Sequence, residues 1–312
     1  MILVTGGTGF IGKALVRNLV EAGHTVRTLI RPSSRSPNLP RGVAVEVAVC
    51  SLDDPRGLRA AMVGVDTVYH LAGVERRGAY ASLMNVDILG TRAVVQAAAD
   101  ARVERFFFLS NLGADRASAY PVLKAKAIAE EFVRRSGLDY TILRTAIVYG
   151  PDDGFTTGLA RIISTFPFFF LVPGDGRTQL QPLWVEDLVT CLTWALDDDA
   201  TRNQMYEIGG PEFFSFVQIV EMIMQAIEIR RRLVFLRPPY LRGLTVALEA
   251  LFPGLPVSVY WLDYLAANRT CALDTVPRAF NLMPARLSQR LEHLGGQDWR
   301  RSMLGTFLRR RA

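Results

Sequence analysis

Cysteine is scarce in this chain. The three residues, Cys50, Cys191 and Cys271, are far apart and odd in number, which excludes a disulfide framework and any close metal-ligand spacing. Histidine is as sparse, with His24, His70 and His293 dispersed, so no metal is expected. Half of the residues are hydrophobic, yet no apolar run reaches the roughly 18 residues a membrane-spanning helix needs. Repeats and low-complexity tracts are absent. The first apolar run reads as a strand, so no secretory signal is expected and the cytoplasm is the expected compartment. A net charge of +6 is modest, and its clusters (Arg230 to Arg232, Arg300 and Arg301, Arg309 to Arg311) come without a nucleic-acid motif, so nucleic acid is not an expected partner.

What is present begins at the first residues. A short apolar run, 2–4, breaks at Gly6, and further glycines follow at Gly9 and Gly12 before a helical pattern at Ile11, Leu15 and Leu19. In a strand–turn–helix unit the first glycine allows the tight turn and the second lets the backbone approach a pyrophosphate. The third lets the helix pack closely on the strand. Thr8, Phe10 and Ile11 fill the turn and the first helical positions, where unpaired N–H groups favour an anion. A dinucleotide is the expected ligand.

The second apolar-rich strand, 25–30, ends at Arg31, with Pro32, Ser33, Ser34 and Arg35 after it. In such folds this tip faces the adenine ribose, and an acidic residue there would bind the 2′-hydroxyl. The tip has none. Arg31 and Arg35, with two serines between, suit a 2′-phosphate instead. NADP(H) is therefore expected, with NAD(H) the second choice if these arginines form only a solvated loop.

Apolar runs suited to buried parallel strands recur at 43–49, 67–71, 105–109, 140–143 and 205–208, with helical patterns between them. The fold class expected is α/β: a Rossmann-type doubly wound parallel sheet with a smaller, mainly helical C-terminal substrate region. Residues 1–150 form the dinucleotide-binding core, with 183–208 returning to it. Residues 151–182 and 209–312 form a substrate- or partner-binding region. Two of its stretches are strongly apolar, 167–172 and 238–256. They read as core, as a pocket for a hydrophobic small molecule, or as a peripheral membrane contact near the arginine clusters.

Thr5-Gly-Gly-Thr-Gly-Phe-Ile-Gly12, His70-Leu-Ala-Gly73, Asn85-Val-Asp-Ile-Leu-Gly-Thr91 and Leu143-Arg-Thr-Ala-Ile-Val-Tyr-Gly-Pro151 together resemble the extended and atypical short-chain dehydrogenase/reductase superfamily. These motifs run through about 210 residues, to Tyr206-Glu-Ile-Gly-Gly-Pro211. Phe108-Leu-Ser-Asn-Leu-Gly-Ala114 and Ser136-Gly-Leu-Asp-Tyr-Thr-Ile-Leu-Arg144 are most similar to its complex I 39-kDa-subunit-like, NmrA-like and Ycf39-like branch. The resemblance implies that Leu71, Ala72 and Gly73 face the adenosine and ribose portion, and that Ser51 and Leu52 lie at the adenine. It also implies that Ser110 stands beside the nicotinamide.

Superfamily enzymes pair a Tyr acid/base with a Lys four residues later. Here the resemblance leaves two alignments. Tyr120 and Lys124 have the literal spacing, whereas Lys126-Ala-Ile-Ala-Glu130 matches the pattern that follows the functional lysine. We read Lys126 as the cofactor lysine, which puts Val122 at the tyrosine position and leaves Tyr120 as the nearest acid/base. Two functions then stand. One is an NADPH-dependent oxidoreductase acting on a hydrophobic small molecule; the other is a non-catalytic NADP(H)-binding accessory or assembly subunit of a membrane-associated electron-transfer complex. An epimerase or dehydratase is a weaker third, since the pocket segments are too apolar for a nucleotide sugar.

Overall fold

A computed structural model describes residues 1–33, 39–74, 82–251 and 257–303. Arg35, Phe252, Leu255 and the arginines at 309–311 lie outside these. The first half alternates strand and helix: β1 (Ile2–Thr5), α1 (Phe10–Glu21), β2 (Val26–Ile30), β3 (Glu46–Val49), α2 (Pro55–Ala61), β4 (Thr67–His70), α3 (Thr91–Asp100), β5 (Arg105–Asn111), α4 (Pro121–Arg134) and β6 (Asp139–Thr145). A π-helical turn, Met84–Gly90, leads into α3. Next come β7 (Val148–Tyr149), α5 (Thr156–Thr165), β8 (Phe169–Pro173), β9 (Gln179–Leu180), β10 (Leu183–Trp184), α6 (Val185–Asp197) and β11 (Gln204–Ile208). The chain continues through β12 (Phe214–Ser215), α7 (Phe216–Ala226), β13 (Arg232–Leu236), α8 (Pro238–Leu251), α9 (Val259–Tyr264) and α10 (Thr275–Phe280).

Seven strands form one parallel sheet in the order β11-β6-β5-β4-β1-β2-β3. Side chains alternate across a strand, so each strand feeds both faces. Ile2, Val4, Tyr69, Phe107 and Leu143 pack with α1, α6 and α10 on one side. Leu3, Val68, Phe106, Phe108 and Ile142 pack with α2, α3 and α4 on the other. Burial on both faces is why the central strands read as continuous apolar runs. The run at 43–49 is an exception, since only Glu46–Val49 joins the ladder. Val43 and Val45 instead rest half-buried against the first face. A third core, built mainly from α5, β8, α7, α9 and the 3₁₀ turns at 287–289 and 292–294, lies under the later segments.

The chain leaves β1 toward β2 and β3 on one side and places β4, β5 and β6 on the other. This reversal opens a crevice at the carboxyl ends of β1 and β4, the usual ligand position in a doubly wound sheet.

Candidate cofactor groove and the cavity beside it

The loop after β1 is shaped by its glycines. Gly6 has φ +76°, and a Cβ there would lie 2.8 Å from the Leu71 and Ala72 backbone. A Cβ on Gly12 would sit 2.1 Å from the Gly6 carbonyl oxygen, so any side chain there forces the loop off the helix. Gly9 caps α1 without a side chain to occupy its N–H groups, while its own N–H donates to the Gly6 carbonyl at 2.9 Å. The first N–H groups of α1 are left for an anion.

A groove begins at this loop and is lined by Gly6, Gly9, Phe10, Ile11 and Gly12, then Leu71, Leu109, Asn111 and Lys126, the stretch 145–148, and Tyr260 and Tyr264 of α9. Lys126 is 5% exposed. Its ammonium stands 3.5 Å from Asp87 Oδ1 and 5.5 Å from the centre of the Phe108 ring. Asp87 comes from the π-helical turn, is itself buried, and accepts the Val74 N–H at 3.2 Å through its other oxygen. Desolvating both charges is costly, so the pair persists only because its geometry and polar contacts compensate.

His70 ties this corner together. Its Nδ1 lies 2.7 Å from Thr5 Oγ1 and its Nε2 2.9 Å from Thr91 Oγ1. Thr91 donates its hydroxyl proton to the Asp87 carbonyl at 2.6 Å, so His70 Nε2–H must donate to Thr91 and Nδ1 must accept from Thr5. The ring is neutral: burial, helped by the Lys126 charge, lowers its pKa to about 3. This fixed tautomer links β1 and β4 to the turn that carries Asp87.

Asn111 has a buried amide nitrogen with no hydrogen-bond partner among the described residues, and it lines the groove. An orphaned donor, a side-chain-free anion cradle and a buried ammonium along one groove match the amide, phosphates and ribose hydroxyls of a nicotinamide dinucleotide. The residues present fit that group.

A family model described as NAD(P)H-binding matches residues 6–162. The chain belongs to this NAD(P)H-binding family. It is 28% identical over 86% of its length to the Arabidopsis thaliana mitochondrial NADH dehydrogenase [ubiquinone] 1 alpha subcomplex subunit 9, covering 70% of that protein. Against sterol demethylase protein B of Methylococcus capsulatus it is 31% identical over 80% of its length and 81% of the relative. Against a ceramide reductase of Caulobacter vibrioides it is 32% identical, but the match spans only 60% of this chain and 58% of that one. The fold is shared with a Thermus thermophilus UDP-glucose 4-epimerase solved with NAD, at a TM-score of 0.71 and 20% identity over 94% and 97% of the two chains.

Within this NAD(P)H-binding protein, some residues named from sequence meet and others do not. Gly6, Gly9, Phe10, Ile11, Gly12, Leu71 and Lys126 share the groove. Thr8 and Gly73 are exposed beside it, and Ala72 is half-buried, its N–H 3.4 Å from Thr5 Oγ1. Ser51 is half-buried, whereas Leu52 packs into the core with Cys50 and Leu58. Arg31 is exposed just past the end of β2. Ser110 is fully buried and donates to Glu130 Oε1 at 2.6 Å, away from the groove lining. Glu130 also holds Arg144, at 2.9 Å to Nε and 2.7 Å to Nη2, which raises the Arg144 pKa. The adjacent β5 residue, Asn111, lines the groove in place of Ser110. Tyr120 caps α4 ahead of Pro121 and is also absent from the lining. Lys124 is exposed, and Val122 packs against the third core. Sequence reasoning missed Asn111, Thr145, Tyr260 and Tyr264. The spacing of the two tyrosines, four residues apart, was the available signal for a shared helix face.

A second cavity, about 360 Å³, lies among α5, β8, α8 and α9. Its wall is almost wholly apolar, with Phe155, Ile162, Phe170, Leu241, Leu248 and Trp261 prominent. The short helix α9 therefore divides two spaces: Tyr260 and Tyr264 face the groove while Trp261, Leu262 and the following Leu265 face the cavity. Among the described residues, no helix is long and apolar enough to cross a membrane.

Proposed function

We propose that this protein is an NADPH-dependent oxidoreductase acting on a hydrophobic small molecule. One observation carries the reading: a single helix, α9, walls both the cofactor groove and an apolar cavity of about 360 Å³, a volume within the usual range for small-molecule sites. Residues 151–182 and 209–312 then serve as the substrate region over the Rossmann core. Gly6, Gly9 and Gly12 hold the pyrophosphate at the N-terminus of α1, and Lys126 holds the nicotinamide ribose. Asn111 offers its unpartnered amide nearby, and Arg31 with Arg35 selects the 2′-phosphate. Ser51 lies toward the adenine. When bound, the nicotinamide supplies or accepts the hydride. The chain contributes position, exclusion of water and a proton, and Tyr260 and Tyr264 bring phenol hydroxyls to a groove that Thr145 also lines.

Two measurements test this. NADPH should bind more tightly than NADH, and Arg31→Asp should reverse the order at a cost of roughly 1.5–3 kcal/mol. NADPH should be consumed with aliphatic aldehydes, ketones or enones, faster as their chains lengthen. Equal affinity for the two cofactors together with no consumption would overturn the proposal.

A second reading, a non-catalytic NADP(H)-binding accessory or assembly subunit, is favoured by the state of α4. With Lys126 read as the cofactor lysine, the tyrosine position falls on Val122, which packs against the third core, and Ser110 is held by Glu130. The likeness to a mitochondrial NADH dehydrogenase subunit supports it as well. Bound NADPH that resists every substrate, with a large complex co-purifying, would decide for this reading.

A further inference from the structure

The mouth of the apolar cavity carries an unusual surface. Among its lining residues Phe166, Phe169 and Leu244 are exposed. Phe168, between two of them in sequence, is 79% exposed. On α8, Tyr240 lies one turn before Leu244 and Leu251 two turns after it, and both are exposed, so they extend the same apolar stripe. Large aromatic and aliphatic groups gathered at one opening need an occupant, since soluble surfaces seldom leave such patches contiguous.

The charges around the opening say which occupant. Arg232 pairs in register with Phe169 across β8 and β13. The Arg231 guanidinium donates to the Phe166 carbonyl at 2.8 Å. Arg237, exposed, immediately precedes α8, and its carbonyl accepts the Tyr240 N–H. Arg230 is exposed beside them, and Arg242 on α8 pairs with Asp263. Across residues 154–174 and 229–248 there is no Asp or Glu. A protein partner would match such a rim with a specific acidic set. A bilayer with anionic headgroups over hydrocarbon matches the whole arrangement at once: arginines at the headgroup level, Phe and Leu below, and a greasy cavity opening between them.

We propose that this face docks on an anionic phospholipid surface and that the cavity takes an aliphatic chain from the leaflet. The cavity equals roughly twelve liquid-water volumes, room for an acyl chain of moderate length. That such a lipid is also the molecule turned over rests on the oxidoreductase reading; the docking itself does not.

The full chain, floated with phosphatidylcholine vesicles with and without phosphatidylglycerol, tests the proposal. Binding should require phosphatidylglycerol and weaken with salt. Phe168→Asp, at an exposed site that leaves the core intact, should reduce it at least tenfold, as should Arg232→Glu with Arg237→Glu. Phospholipid with brominated acyl chains should quench Trp261, seen as quenching lost in Trp261→Phe. Absence of flotation, flotation indifferent to these variants, or a dimer that Phe168→Asp dissolves would each overturn it. NADPH titration of the same preparations separates the two proposals. Intact NADPH binding without flotation defeats the docking face alone. Flotation without NADPH binding upholds the face and defeats the cofactor reading.

Discussion

Replacing Lys126 with Met keeps the apolar stem of the side chain and removes only the charge, so the substitution isolates the ammonium. In the parent, that ammonium faces Asp87 Oδ1 at 3.5 Å with both groups buried. Removing one partner of a buried ion pair usually costs about 3–5 kcal/mol, mostly for the uncompensated charge left behind. The separation here is longer than an ideal charged hydrogen bond, and Asp87 retains the Val74 N–H. The low end, about 3 kcal/mol, is therefore expected. At roughly 2–4 °C per kcal/mol for larger domains, the melting temperature should fall by about 6–12 °C. Adding Asp87→Asn should recover part of that loss, because the carboxylate charge that faced the ammonium is gone, with a coupling of about 1–3 kcal/mol. If Lys126 also bonds the nicotinamide ribose, NADPH affinity falls at least tenfold, the equivalent of one charge-assisted hydrogen bond of ~1.5–3 kcal/mol. Lys124→Met, on the exposed side of α4, should stay within about 0.5 kcal/mol on both counts. Differential scanning fluorimetry and NADPH fluorescence titration of Lys126→Met, Asp87→Asn, their double variant and Lys124→Met read these numbers. Unchanged melting and unchanged affinity in Lys126→Met would refute the argument, and loss of binding in Lys124→Met would move the site by two residues.

Other outcomes follow from the same geometry. His70 stays neutral in the fold down to about pH 3, whereas the unfolded chain takes its proton near the ordinary imidazole pKa of about 6.5. Its contribution to stability is therefore full above that value and is lost as pH falls, by about 1.4 kcal/mol per unit between roughly pH 6 and pH 4. Urea titrations should show a shallower pH dependence in His70→Asn, and equal slopes would refute the assignment. Ser110→Ala removes one donor to Glu130 and should destabilise by about 1–3 kcal/mol while leaving NADPH affinity unchanged; a loss of affinity would restore Ser110 to the groove. Gly12→Ala drives a methyl into the Gly6 carbonyl, so it should abolish NADPH binding in calorimetry even where circular dichroism finds the fold retained.

The sequence by itself determined the sheet and its ligand class, because both depend on local chemistry. Strands buried on two faces must read as apolar runs, and the turn after β1 must use glycine where a Cβ would meet the Gly6 carbonyl or the Leu71 backbone. Those constraints act within a few residues and are visible in the string. The spacing from Lys126 to Glu130 was legible too, one residue reaching Asp87 and the other holding Arg144.

Tertiary structure decided what depends on where a side chain points. Ser110 and Asn111 are neighbours on one strand, and only the pleat set against α4 sends the hydroxyl to Glu130 and the amide to the groove. Tyr120 and Lys124 have the right spacing, yet Pro121 starts α4 between them, so the tyrosine precedes the helix instead of sharing a helical face with the lysine. Tyr260 and Tyr264 reach the groove from a helix more than a hundred residues after α4. No local pattern announces such a contact, because it arises when the third core packs α9 over the sheet edge, and that long-range packing is what separates a polar groove from an apolar cavity.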